Sequence, residues 1–264
     1  MLSHETLLAF TTILGFVSST DRPIIGILAQ RYYGGGNFSA NATYIAASYV
    51  KFVELAGARA VPVFIDEPDA YYVKLFNSVN GILFPGGSAN LTISGYSRAG
   101  SILYKLAVQA NDNGTHFPLW GTCLGFELLT VLTSGKSVLQ ACSAHDLAAS
   151  LNMSADFRRS RLYDGLPKKL EKAVRTTPIT YNAHSWCLTP ENFSAFGLNS
   201  FYKALSTNRD QNGIVFISSM EGKLVPTRRF HALLPSSKIE FEDRLRQMEE
   251  GRWARRVTLI LNLL

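Results

Sequence analysis

From residue 23 to residue 133 short, continuously apolar runs alternate with longer stretches of helical period, and this alternation constrains the fold more than any other feature. Pro23-Ile-Ile-Gly-Ile-Leu-Ala29 reads as a buried strand, and further strands are predicted over 58–65, 81–87 and 117–122. Between them, apolar residues recur at helical spacing over 44–56, 70–79, 96–110 and 124–133, the first of these stopped by Gly57. A strand that is apolar at every position has no solvent face, so both sides of the sheet must be covered. The order β-α-β-α then predicts an α/β fold with a mostly parallel central sheet and helices on both faces. From residue 172 onward longer β-prone runs, 173–181 and 213–220, predict an antiparallel extension. Neither a repeat nor a linker interrupts the chain. With 47% hydrophobic and 17% charged residues, a single globular domain over 20–264 is expected.

In an open parallel sheet, ligands bind beyond the carboxyl ends of the strands. Two glycine-rich turns fall there: Pro85-Gly-Gly-Ser88 and Gly121-Thr-Cys-Leu-Gly125. The second has the form G-x-C-x-G between strand and helix, the cysteine version of a nucleophile elbow, in which flanking glycines permit the sharp turn. A helix N-terminus behind Cys123 supplies amide donors and favours the thiolate. The expected oxyanion donors are the amide of Leu124 and one from Gly86 or Gly87. Glu127, in the first turn of the helix, either contacts the substrate or complements the helix dipole; Tyr44 reads as packing.

The first 19 residues carry an apolar run over 7–17 followed by small residues, too short to span a bilayer and fitting a secretory signal. Six N-x-[ST] sequons, at Asn37, Asn41, Asn90, Asn113, Asn152 and Asn192, strengthen that expectation. Three cysteines, Cys123, Cys142 and Cys187, exclude a multi-disulfide scaffold, show no metal-type spacing, and leave at least one thiol unpaired in a monomer. The net charge of +6 is concentrated in the tail: nine Lys/Arg and five Asp/Glu from Lys223 on leave +2 for the rest. No basic stripe with interleaved aromatics marks a nucleic-acid surface.

Four segments, "PIIGIL" at 23–28, "YIAASYVKFVELAGARAVPV" at 44–63, "GILFPGGS" at 81–88 and "WGTCLGFE" at 120–127, resemble the γ-glutamyl hydrolases, and the similarity runs in order from about 23 to 222. That family lies in the class I glutamine amidotransferase-like superfamily. The resemblance implies that Cys123 is the nucleophile, attacking a γ-glutamyl amide of folylpoly-γ-glutamate and passing through a thioester that water hydrolyses, with no metal or cofactor. It implies a pocket role for His184 in "YNAHSW", a secreted and lysosomal location, and a homodimer.

The thiolate needs a histidine to protonate the leaving amine. His4 belongs to the leader, His116 precedes the strand at its far end, and His145 falls in an expected loop. His231 remains as the candidate acid/base. The family closes its site with a Trp-His-Pro-Glu-Lys type signature, where this chain has Phe230-His-Ala-Leu-Leu-Pro-Ser-Ser-Lys238, so the orienting glutamate is missing from its expected place. From about residue 223 the tail diverges. The expected function is therefore γ-glutamyl hydrolysis. A catalytically impaired relative that only binds is the alternative, and a glutamine amidotransferase, which the leader and sequons disfavour, is the third reading.

Overall fold

The computed structural model describes residues 22–33, 39, 41–223 and, for the backbone, 230–233. The expected signal segment 1–19, the sequon at Asn37 and the tail beyond residue 233 lie outside the described residues. In chain order the elements are β1 (Ile24–Leu28), β2 (Gln30–Arg31), β3 (Thr43–Tyr44), α1 (Ala47–Leu55), β4 (Arg59–Val63), α2 (Asp69–Phe76), β5 (Gly81–Phe84), α3 (Gly95–Asp112), β6 (Leu119–Thr122) and α4 (Leu124–Ser134). There follow β7 (Gln140–Ala149), β8 (Asn152–Met153), α5 (Lys168–Thr176), β9 (Thr180–Cys187), α6 (Pro190–Ala195), α7 (Leu198–Phe201), β10 (Tyr202–Arg209), β11 (Val215–Gly222) and β12 (Phe230–Leu233).

Eight strands form the main sheet in the order β4-β1-β5-β6-β12-β11-β10-β8. The pairings from β4 through β12 are parallel, and those from β12 through β8 are antiparallel. The expected mostly parallel sheet with an antiparallel extension is thus present. Its two faces are covered by separate cores, and the pleat divides each strand between them. Leu28, Ile82, Phe84 and Leu119 pack with Tyr96 and Leu103 of α3 and Phe126 of α4 on one face. Ile25, Ile27, Leu83 and Trp120 pack with Val53 of α1, Phe157 and Leu205 on the other. This is why the strands read as unbroken apolar runs.

Three local expectations are corrected. The first helix begins at Ala47, because Thr43 and Tyr44 pair with β2 instead. The run 173–181 is helix up to Thr176 and strand only from Thr180. The charged residues just ahead of it, Lys168, Lys169, Glu171 and Lys172, start the helix, and Glu171 is clasped by Arg158 and Arg175. His145 lies within β7 rather than in a loop. β7 itself pairs with β9 as a separate antiparallel ribbon outside the main sheet, and its mix of small and polar residues offers neither an apolar run nor a regular alternation.

Candidate active site

The chain runs from β1 out to β4 and then returns to β5 on the other side of β1, so the winding reverses between β1 and β5. The turns after β1, β5 and β6 meet beyond the carboxyl ends of those strands, where a ligand crevice forms in folds of this type. Cys123 sits between β6 and α4 with φ 53° and ψ −111°. A non-glycine residue in that region is strained, and the flanking glycines show what holds it there. A Cβ on Gly121 would stand 2.5 Å from the Gly125 carbonyl oxygen, and one on Gly125 would overlap the Phe84 carbonyl of β5. The G-x-C-x-G spacing is therefore required twice over by backbone against backbone.

Groups from α4, from the turn after β5 and from β9 surround the sulfur. The backbone amides of Leu124 and Gly87 lie on the side of the sulfur where they favour its thiolate. Of the two glycines expected as oxyanion donors, Gly87 is the one engaged, because the Gly86 amide already donates to the Tyr49 hydroxyl at 2.7 Å. Gly86 is needed for closeness: a Cβ there would be 3.0 Å from the Cβ of Cys123. Gln30, just past β1, donates from Nε2 to the Gly86 carbonyl at 2.7 Å, and the Tyr96 hydroxyl donates to the Pro85 carbonyl at 2.9 Å. These three side chains, Gln30, Tyr49 and Tyr96, clamp the Pro85-Gly86-Gly87 turn and were missed in the sequence. The carboxyl-end rule applied to β1 would have found Gln30; nothing in the sequence pointed to Tyr49.

His184, on β9 and 2% exposed, brings Nδ1 to 3.8 Å from Cys123 Sγ. That is hydrogen-bond reach for sulfur, closer to the reacting atom than a pocket-lining role requires. Glu127 is buried one turn into α4, and burial pushes its carboxyl from an ordinary 4.5 up to about 8. Burial likewise pushes the Cys123 thiol up to about 12; the Glu127 charge adds to this, and the Leu124 and Gly87 amides pull the other way.

β12 lies beside β6, with His231 level with Trp120 and Leu233 level with Thr122. His231 is thus three positions before the elbow, or about 10 Å back along the strand at the usual rise. Its side chain lies outside the described residues. His145 Nε2 is 2.8 Å from Ser185 Oγ on the exposed ribbon, and His116 lies just before β6, at the end away from Cys123. Tyr44 contacts Tyr32 edge-on. Cys142 and Cys187 form a disulfide, which leaves Cys123 as the free thiol. Among the described residues no group of side chains has metal-ligand geometry, and no helix is long and apolar enough to cross a membrane.

The fold and the elbow together define an α/β protein with a cysteine presented at the switch point of a mostly parallel sheet. The chain belongs to the peptidase C26 family, whose sequence profile matches residues 23–162. It is 45% identical over 212 residues to the γ-glutamyl hydrolase of Mus musculus, covering 78% of this chain and 65% of that protein. It is 45% identical over 206 residues to that of Homo sapiens, covering 78% of this chain and 64% of that protein. With γ-glutamyl hydrolase B of Dictyostelium discoideum the identity is 36% over 207 residues, covering 77% of this chain and 60% of that protein. The chain thus spans somewhat under two thirds of the length of these relatives.

Proposed function

We propose that this chain is a cysteine-dependent γ-glutamyl hydrolase acting on folylpoly-γ-glutamates. The observation that carries the reading is the Cys123–His184 contact at 3.8 Å on a left-handed elbow whose sulfur faces two backbone amides. In the proposed reaction, the proton of Cys123 passes to His184 as the sulfur attacks the γ-carbonyl carbon. The oxyanion is held by the amides of Leu124 and Gly87. The tetrahedral adduct collapses, the C–N bond breaks, and the departing amine takes the proton from His184, leaving a thioester. Water then attacks the thioester, gives a proton to His184, and the thiol is restored.

Glu127 is the proposed substrate contact. Units joined through their γ-carboxyls have no free amine, but each keeps an α-carboxylate. With its carboxyl raised to about 8, Glu127 is mostly protonated at neutral pH and donates a hydrogen bond to that carboxylate without repelling it. The Cys142–Cys187 disulfide supports passage through the secretory pathway to the cell exterior or lysosome, since disulfides persist in oxidising compartments.

A second reading, a binding protein with a weakened site, is favoured by the high Cys123 pKa and by the register of His231. Hydrolysis of pteroyl-γ-glutamate oligomers, with glutamine as a control substrate, decides between them. Cys123→Ala abolishes release of glutamate on the first reading, and His184→Asn lowers kcat by about 100-fold or more, within the range of general acid–base catalysis. His231→Asn serves as the comparison: a larger loss there than at His184 would return the acid/base role to β12. A parent protein that binds the oligomer without cleaving it would establish the second reading.

A further inference from the structure

We propose that the Cys142–Cys187 disulfide is a positioning clamp that sets His184 against Cys123, so that the reactivity of the site depends on the oxidation state of this pair. The inference deepens the function proposed above and rests on its assignment of His184. It begins with the ribbon of β7 and β9. Their register pairs Gln140 with Cys187, Ala141 with Trp186, Ala144 with His184 and Leu147 with Asn182. Between these pairs β7 advances three residues while β9 advances two, on both sides of Ala144. The one ladder position that carries His184 is therefore flanked by two bulges, one containing Cys142 and the other Asp146, whose φ is 49°. A bulge leaves its extra residue unpaired and breaks the ladder locally. Backbone pairing alone fixes His184 weakly.

The disulfide supplies what the ladder lacks. It joins the first bulge to the end of β9, and the Cys142 sulfur lies 4.0 Å from the carbonyl oxygen of His184 itself. The bulge in turn is fastened to the main sheet through the turn between β10 and β11. Asp210 Oδ2 accepts from the Ser143 amide at 2.7 Å, the Gln211 amide donates to the Ser143 carbonyl at 2.9 Å, and Gln211 Nε2 donates to the His145 carbonyl at 2.9 Å. A continuous connection runs from the sheet, through this turn and the β7 bulge, across the disulfide, to the backbone of His184. Cys187 is fully buried while Cys142 is half-buried, so a small reductant has an approach to one of the two sulfurs. A dithiol cleaves the bond with two electrons and two protons, giving two thiols and its own cyclic disulfide; the Cys123 thiol is neither formed nor consumed.

The test compares the parent with Cys142→Ser/Cys187→Ser. In both proteins Cys123 is the free thiol among the described residues, so the rate of iodoacetamide labelling at Cys123, followed from pH 5 to 10 by mass spectrometry of the labelled peptide, reads its environment directly. Glu127, whose carboxyl burial raises to about 8, also faces the sulfur and titrates in this range, whereas burial raises the Tyr49 and Tyr96 hydroxyls and keeps them protonated through it; all three are common to both proteins. Expected is a labelling profile in the double variant that matches His184→Asn, with a rate at pH 7 lower than the parent's by on the order of 10-fold, and no further change when the three substitutions are combined. In turnover of a γ-glutamyl substrate, kcat falls by about 100-fold, as in His184→Asn and as expected for a misplacement of about 1 Å, with KM within about 2-fold. The parent treated with a dithiol, then freed of it, should behave as the double variant. A double variant that melts earlier but keeps the parent's labelling profile overturns the proposal, leaving the bond a stabilising crosslink only. Global loss of near-ultraviolet circular dichroism on both reduction and substitution also overturns it. If the parent shows the His184-dependent profile yet cleaves no γ-glutamyl substrate, the proposed function fails and the clamp stands.

Discussion

Glu127→Gln tests the electrostatics of the site without touching the nucleophile. Glu127 is 8% exposed and its carboxyl is raised from 4.5 to about 8 by burial. The folded chain therefore holds its proton over a range in which the unfolded chain has lost it. Its contribution to stability is fully present below the ordinary value and is lost as pH rises toward and through about 8. The whole window corresponds to an upper bound of about 5 kcal/mol, taking about 1.4 kcal/mol per pKa unit. Between pH 6 and pH 9 the expected loss is roughly 2–3 kcal/mol, or about 5–10 °C in Tm for a chain of this size. The amide that replaces the carboxyl cannot titrate, so the variant should lose that much less between the two pH values. Glu221, whose carboxyl is also raised by burial, is common to both proteins and cancels in the difference. Thermal melts at pH 6, 7, 8 and 9 measure it. Parent and variant Tm values that fall in parallel would refute the reasoning and place Glu127 in contact with solvent or a cation.

Gly125→Ala should lower stability by about 1–3 kcal/mol or prevent folding, because the new methyl meets the Phe84 carbonyl, a backbone atom with no rotamer to give way; denaturant midpoints check this, and an unchanged midpoint would mean that the elbow is looser than described. Among the described sequons, Asn41, Asn90, Asn113 and Asn152 are exposed, whereas Asn192 is half-buried in α6 and its Nδ2 donates to the Val138 carbonyl at 2.8 Å. Expression through a secretory host should therefore give glycan-dependent gel shifts that are lost by Gln substitution at some of the first four and are unaffected by Asn192→Gln.

The parts of this fold that were legible in the sequence share one property: their signal is local. The parallel strands are buried on both faces, so each shows as an unbroken apolar run, and the elbow shows as two glycines because backbone contacts at Gly121 and Gly125 admit no side chain. What stayed hidden depends on non-local geometry. β7 and β9 form an isolated ribbon with two bulges, so their side chains follow no clean alternation and neither strand could be bounded. For the same reason His184 could be named as a pocket residue only by resemblance, and its contact with the sulfur is set by a bulge and a disulfide 45 residues apart in sequence. The segment 173–181 misled because Val174, Thr176, Thr177 and Ile179 are β-branched, while the charged residues before them had already started a helix.

The titrations at the site bear on the compartment it suits. Burial raises the Cys123 thiol to about 12, and the charge on Glu127 adds to that rise. Below about 8 Glu127 is mostly neutral, and a proton moving from Cys123 to His184 then creates a compact ion pair with the Leu124 and Gly87 amides on the sulfur. Above about 8 a second negative charge enters the same buried space and opposes the thiolate. An ordinary cysteine becomes a better nucleophile as pH climbs through this range; Cys123 meets a growing penalty there. Iodoacetamide labelling of the parent should accordingly flatten between pH 7 and 9, while Glu127→Gln should rise steadily with pH over the same interval. Parent and variant curves of the same shape would show that Glu127 does not act on the sulfur. The flattened curve, in contrast, would make neutral to acidic surroundings the condition in which this thiol is least opposed, in keeping with the lysosomal or extracellular site of action proposed for the chain.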